Sequence, residues 1–240
     1  MESSQKEIYL PLVDRLADTA RELYDDSLPY HNFAHAVEVL NESMRLADLC
    51  TENGIYVNRR VLAAAALLHD ANYYQDSANR FKTKEEYSQY IARNILPFFD
   101  YDIEEIELVE DCIKGTELGM SCTSIEAKII RRADIGNVSR NREELLAKTL
   151  AFSLEEIQMK GLENIDWDSI VNKAKYVFGI YLEEDDLRLG DFEPTRNGKL
   201  CFIADCLDNI DSMARETRDT LIRIGKVTVE NIFGKITERV

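Results

Sequence analysis

The chain has 240 residues, 45% of them apolar, a length and composition that suit one large domain with a sizeable core. Its formal charge of −16 repels nucleic-acid backbones and excludes an extended DNA- or RNA-binding face, but not a small anionic substrate at a site where a cation sets the local field. Glycine (10) and proline (4) are scarce and strand-like alternation is hard to find, which predicts an all-α fold.

Ile8, Leu12, Leu16, Ala20 and Leu23 recur at three- and four-residue steps and predict an amphipathic helix over 5–26. Pro29 biases Leu28 away from helix and breaks the pattern. Asn32 has the chemistry of an N-cap for a helix running to about Cys50, closed by Asn53-Gly54. Asn58 caps the next, whose run Val61 to Leu68 is apolar all round, as in a helix buried at the centre of a bundle. Residues 71–83 are polar and irregular. Helices follow over 83–96, stopped by Pro97, and over 103–114, ended by Gly115. Thr123 or Ser124 starts a helix that carries Asp134, and further helices are expected at 141–160 and 166–181. The charged stretch Glu183 to Lys199, with Pro194 and Gly198, reads as a loop, and a last helix or helix pair covers 200–236. No repeat or inter-domain linker interrupts this pattern. The expectation is a single domain over 1–240, with a motif-bearing core at 28–140 and a helical C-terminal decoration.

The five cysteines, Cys50, Cys112, Cys122, Cys201 and Cys206, form no Cys-x-x-Cys pair, and their number is odd. Free thiols in a reducing compartment are expected. The first residues lack a charged-then-apolar leader, and the longest apolar run is eight residues, too short to span a bilayer. These features predict a cytoplasmic protein without membrane association.

The three histidines, His31, His35 and His69, all lie in the first third of the chain. His31 and His35 are four apart. If Asn32 caps the helix, His31 sits just outside it and His35 in its first turn. His69-Asp70 follows the buried apolar run, where an unpaired carboxylate is costly. Asp134 has a similar setting in Arg132-Ala133-Asp134-Ile135-Gly136-Asn137. Imidazoles and carboxylates delivered by separate helices are what a divalent metal needs, and a metal offsets the burial of charge directly.

The order His35, His69-Asp70, Asp134 resembles the signature of the HD superfamily of metal-dependent phosphohydrolases, over about residues 28–140. Tyr30-His31-Asn32-Phe33-Ala34-His35-Ala36 and Ala133-Asp134-Ile135-Gly136-Asn137 are similar to metal-site motifs of the class I cyclic-nucleotide phosphodiesterases. Cys201-Phe202-Ile203-Ala204 is a weaker likeness to their nucleobase-pocket segment, in which the base-reading glutamine falls at Lys199. The chain departs from them after His69-Asp70, where Ala71-Asn72-Tyr73-Tyr74-Gln75-Asp76 holds no further histidine. That stretch, with Glu85-Glu86-Tyr87-Ser88, looks more like small bacterial HD proteins of unassigned substrate.

The resemblance implies a multi-helix HD bundle and a divalent ion (Mg, Mn, Co, Ni, Zn or Fe) on His35, His69, Asp70 and Asp134. It implies hydrolysis of a small phosphoester, a nucleotide or cyclic nucleotide, with His31 and Asp70 as the catalytic pair and His31 as the acid that protonates the leaving oxygen. Asp70 or Asp134 is also placed to bridge to a second ion. Arg80, Lys82 and Lys84 are candidate phosphate contacts, as are Lys114 and Thr116, and one of Arg131 and Arg132 is a candidate to face the site. Glu86 is a candidate to support a ligand. A homo-oligomer is compatible with the sequence. Two other classes compete: a di-iron HD oxygenase, for which the histidines are too few, and a metal-binding regulatory protein with little activity.

Overall fold

The computed structural model describes residues 13–71, 73, 81–136, 142–160 and 167–215. Parts of the expected first and last helices and of the polar segment 71–83, Arg80 included, lie outside these residues, as does Asn137. The described chain is helical apart from one two-stranded hairpin and its connections, an all-α fold. It divides into two compact units, one formed by Met1–Asp26, His31–Asp134 and Asp185–Glu193, the other by Ser27–Tyr30, Ile135–Glu184 and Pro194–Val240. Among the described residues no helix is long and apolar enough to cross a membrane.

The first unit begins with α1, helical over 13–21. The helix expected to reach residue 26 gives way to turns after 21, with Leu23 and Tyr24 amides donating to the Ala20 and Arg21 carbonyls. Tertiary contacts at Tyr24 accompany the early stop. Its hydroxyl donates to the Leu67 carbonyl at 3.1 Å and its ring meets Phe33 edge-on.

Helix α2 (Phe33–Glu52) starts where Asn32 accepts the His35 amide, and it ends at Asn53. Gly54 then takes φ +76, a conformation that suits glycine. Helix α3 (Arg59–Leu68) is capped by Asn58, which accepts from the Arg60 and Val61 amides. Every side chain from Val61 to Leu68 is buried, so the all-round apolar run does form the centre of this unit.

Helix α4 (Lys84–Ile95) starts at Thr83, and Pro97 lies in the single 3-10 turn Leu96–Phe99 that follows it. A capping box between Asp102 and Glu105 opens α5 (Ile103–Gly115). Ser124 accepts the Ala127 amide at the start of α6 (Ile125–Asp134). Helices α2, α5 and α6 all pack against α3. The core therefore surrounds the helix that ends at His69.

The second unit contains α7 (Arg142–Lys160) and α8 (Trp167–Tyr181). The expected loop 183–199 is more ordered than its charge suggests. It holds the short α9 (Glu184–Leu187) and a hairpin of β1 (Thr195–Arg196) with β2 (Lys199–Leu200), in the register Thr195↔Leu200 and Arg196↔Lys199. Asn197 and Gly198 both have positive φ, 54° and 77°, the requirement of a two-residue type I′ turn. Helix α10 (Cys201–Arg215) follows and packs on α7 and α8. All five cysteines are free thiols.

Candidate metal centre

Three helix ends of the first unit meet at one point. His35 lies in the first turn of α2, His69 caps the C-terminus of α3 with Asp70 next to it, and Asp134 is the last residue of α6. One donor atom from each of the four lies within 4.8 Å of all the others. Asp134 Oδ1 is 3.0 Å from His35 Nε2 and 3.7 Å from His69 Nε2. Asp70 Oδ2 is 3.0 Å from His69 Nε2 and 3.8 Å from His35 Nε2. The two imidazoles thus alternate with the two carboxylates. His35, His69 and Asp70 are buried, and the Asp134 side chain retains 18% exposure.

One atom tests whether a cation fits. His69 Nδ1 lies 2.9 Å from the Ala66 carbonyl, which can only accept, so this nitrogen donates. Nε2 is fully buried and makes no hydrogen bond, although two carboxylates lie within 3.7 Å of it. A metal-ligating histidine commonly donates its other ring nitrogen to a backbone carbonyl, as His69 Nδ1 does here. The donor set of two imidazoles and two carboxylates suits a divalent transition ion or magnesium, so the residues present fit the group.

The ion-free cluster is strongly polarised. Burial opposes a charge on His69, but the adjacent Asp70 and Asp134 carboxylates outweigh it and raise the pKa to about 10. Burial also opposes charge on Asp70 and Asp134. The neighbouring histidines, and Lys84 beside Asp70, nevertheless hold both carboxyls well below the usual range.

His31 lies next to this cluster but outside the four converging donors. It is buried and stacks flat on Tyr73, centroids 3.5 Å apart and planes 13° from parallel, with its ring 6.3 Å from that of His35. Asn32 does cap α2, so His31 sits just before the helix.

The other sequence candidates divide. Lys84 reaches the site, 2.6 Å from Asp70 Oδ1. Burial opposes its charge, yet Asp70, Tyr73 and Glu85 hold its pKa well above the usual lysine value. Lys82 is exposed, and Glu86 turns back to accept the Lys82 amide, completing the start of α4. Its neighbour Glu85 is the buried one and pairs with Lys84 at 3.0 Å. Arg131 faces away from the centre, donating to the carbonyls of Gly115, Glu117 and Met120 and pairing with Asp186 at 2.9 Å. Arg132 pairs with Glu193. Lys114 is exposed, and the Thr116 hydroxyl donates to the Ile113 carbonyl.

Sequence reasoning missed Tyr73 as the platform under His31, Glu85 as the partner of Lys84, and Ala66 as the group that orients His69. Only the last left a signal: a histidine closing a helix lies three residues beyond a carbonyl with no intrahelical partner.

Residues 32–135 match the family model of the HD domain. These residues are thus similar to the HD domain, the fold of a superfamily of metal-dependent phosphohydrolases, and the matched region spans all four converging donors. No curated protein matches the chain.

Proposed function

We propose that this protein hydrolyses a small phosphoester, a nucleotide or cyclic nucleotide, at a divalent ion held by His35, His69, Asp70 and Asp134. The observation that carries this reading is the convergence of the four donors on one point, with the buried Nε2 of His69, which makes no hydrogen bond, facing two carboxylates. When bound, the ion supplies Lewis acidity toward a phosphoryl group and acidifies water. The protein's own groups then divide the work. His35 and His69 contribute neutral nitrogen donors, and Ala66 fixes the tautomer of His69. Asp70 and Asp134 contribute the negative charge that makes the site selective for a cation.

His31 supplies the proton for the departing oxygen. Its position outside the donor set, buried beside His35 and flat against Tyr73, supports this role. Asp70 belongs both to the ligand set and to the catalytic pair, as the carboxylate fixed against His69. A small substrate fits the net charge of −16, which disfavours a nucleic-acid polymer.

The test is a screen of nucleoside mono-, di- and triphosphates, cyclic nucleotides and a chromogenic phosphodiester, each with Mg, Mn, Co, Ni and Zn. Ion-dependent turnover of at least one substrate is expected, lost on chelation and in Asp134→Ala. Turnover at an unchanged rate by metal-free protein sinks the mechanism. An ion bound at the cluster with no turnover across the screen favours a regulatory protein instead.

A further inference from the structure

The two oxygens of Asp70 face different neighbours. Oδ2 looks into the cluster, 3.0 Å from His69 Nε2. Oδ1 lies 2.6 Å from the ammonium of Lys84, a short charge-assisted contact. Lys84 is itself held in place. It is the first residue of α4, directly after the Thr83 cap, so its backbone is fixed by the helix start. Its Nζ is 3.0 Å from Glu85 Oε1 and 4.7 Å from the centroid of the Tyr73 ring. Glu85 is buried, and the Asp70 side chain is 2% exposed.

We infer that the Lys84 ammonium takes the place a second cation would need on Asp70, so that the centre holds one divalent ion and not two. The inference rests on the reading of the four donors as a metal site and adds the number of ions.

Three observations carry it. The first is steric and electrostatic. A metal–oxygen bond of about 2.1 Å to Oδ1 would put a divalent ion within about 5 Å of Nζ, against a carboxylate that is itself buried. The second is charge. Asp70, Asp134 and Glu85 bring three negative charges, Lys84 brings one positive charge, and a single divalent ion leaves the group neutral. No negative charge remains in it to offset a second ion. The third is the donor supply. Among the described residues the four-donor group is the one set of three or more metal-type ligands that converges, so a second ion would have to share a carboxylate with the first, and at Asp70 the oxygen it would use is held by Lys84. Lys84 is thus a positioning residue: it leaves Asp70 one oxygen for the cluster and blocks the other.

The decisive measurement is the number of ions bound. Metal-free protein is titrated with Mn²⁺, and bound ion is counted by equilibrium dialysis while electron paramagnetic resonance distinguishes an isolated ion from a coupled pair. Wild type is expected to take one equivalent with an isolated-ion spectrum. Two equivalents with a coupled-pair spectrum overturn the inference. Lys84→Ala is expected to gain a second equivalent, and a folded Lys84→Ala protein that still takes one overturns the role given to Lys84. Lys84→Arg keeps the cation and is expected to stay at one, so the wild-type and Arg counts decide the matter even if the alanine variant does not fold. No Mn²⁺ bound by wild type at all would instead refute the metal reading beneath the inference.

Discussion

Replacing Asp134 separates the metal reading from a merely structural role for the cluster. Without an ion, Asp134→Ala loses a charge-assisted hydrogen bond to His35, 3.0 Å long, a contact of a kind that contributes about 1.5–3 kcal/mol. It also removes a carboxylate that faces Asp70 across the cluster, which relieves repulsion of opposite sign. The histidines hold the Asp134 carboxyl well below its usual range, so their attraction outweighs this repulsion and the ion-free variant should melt below the wild type. The ion-induced shift is a separate quantity. An ion at a hundred times its dissociation constant stabilises the wild type by about 2.7 kcal/mol. In a chain of 240 residues each kcal/mol is worth about 2–4 °C, so the wild type should gain about 5–11 °C on adding metal. Losing one of four ligands that weakens binding a hundredfold cuts the gain to about 0.4 kcal/mol at the same ion concentration, about 1–2 °C. Melting curves followed by far-UV circular dichroism, with chelator and with added Mn²⁺, read both quantities. Equal ion-induced shifts in wild type and Asp134→Ala would show that Asp134 is not a ligand and would refute this reasoning.

His31→Ala should retain the full ion-induced shift, lower turnover of an unactivated phosphoester by about 10²–10⁴, and spare a nitrophenyl ester whose leaving group needs no proton; equal losses on both substrates would remove the acid role. Burial raises the Tyr101 pKa to about 12, against about 10 in an unfolded chain, so its contribution is complete below pH 10 and is lost as pH rises toward 12, at most about 2.7 kcal/mol. Urea unfolding from pH 9 to 12 should therefore fall less steeply in Tyr101→Phe, and parallel profiles would contradict the burial argument. Leu62→Ala, at a fully buried site on α3, should cost about 2–5 kcal/mol, whereas Leu118→Ala, at a site 41% exposed, should stay within about 0.5 kcal/mol; similar midpoints for the two would mean that α3 is not the core.

Much of this architecture was written in local chemistry. Asn32, Asn58 and Thr83 mark helix starts because their side chains accept amide hydrogens, a rule that acts over three residues. The run Val61 to Leu68 announced its burial because no polar residue gives it a solvent face. The four donors were legible through residue type and helical setting, even though Asp134 is far along the chain from His35. What sequence could not convey depends on tertiary placement. Lys84 reads as one more residue in a charged run, and only the approach of α4 to the end of α3 puts its ammonium on Asp70. The stacking of Tyr73 under His31 likewise joins two loops. The hairpin at 195–200 is a different failure. Asn197-Gly198 is a known turn pair, but strands of two residues carry no alternation to reveal them.

The two arginines just before Asp134 have a consequence for how this chain tolerates change. The chain leaves the first unit at Asp134 and re-enters it at Asp185. Asp186 is clamped to Arg131, and Glu193, at the end of the returning piece, to Arg132. The excursion 135–184 therefore departs from and returns to the same helix end, like a parenthesis opened and closed on one word. Flexible residues added within it cost only the slow logarithm of loop closure, about 0.6 kcal/mol per doubling. A change of length within it leaves both clamps on α6 in place, whereas Glu155, which accepts the Tyr30 amide beside His31, has to be kept.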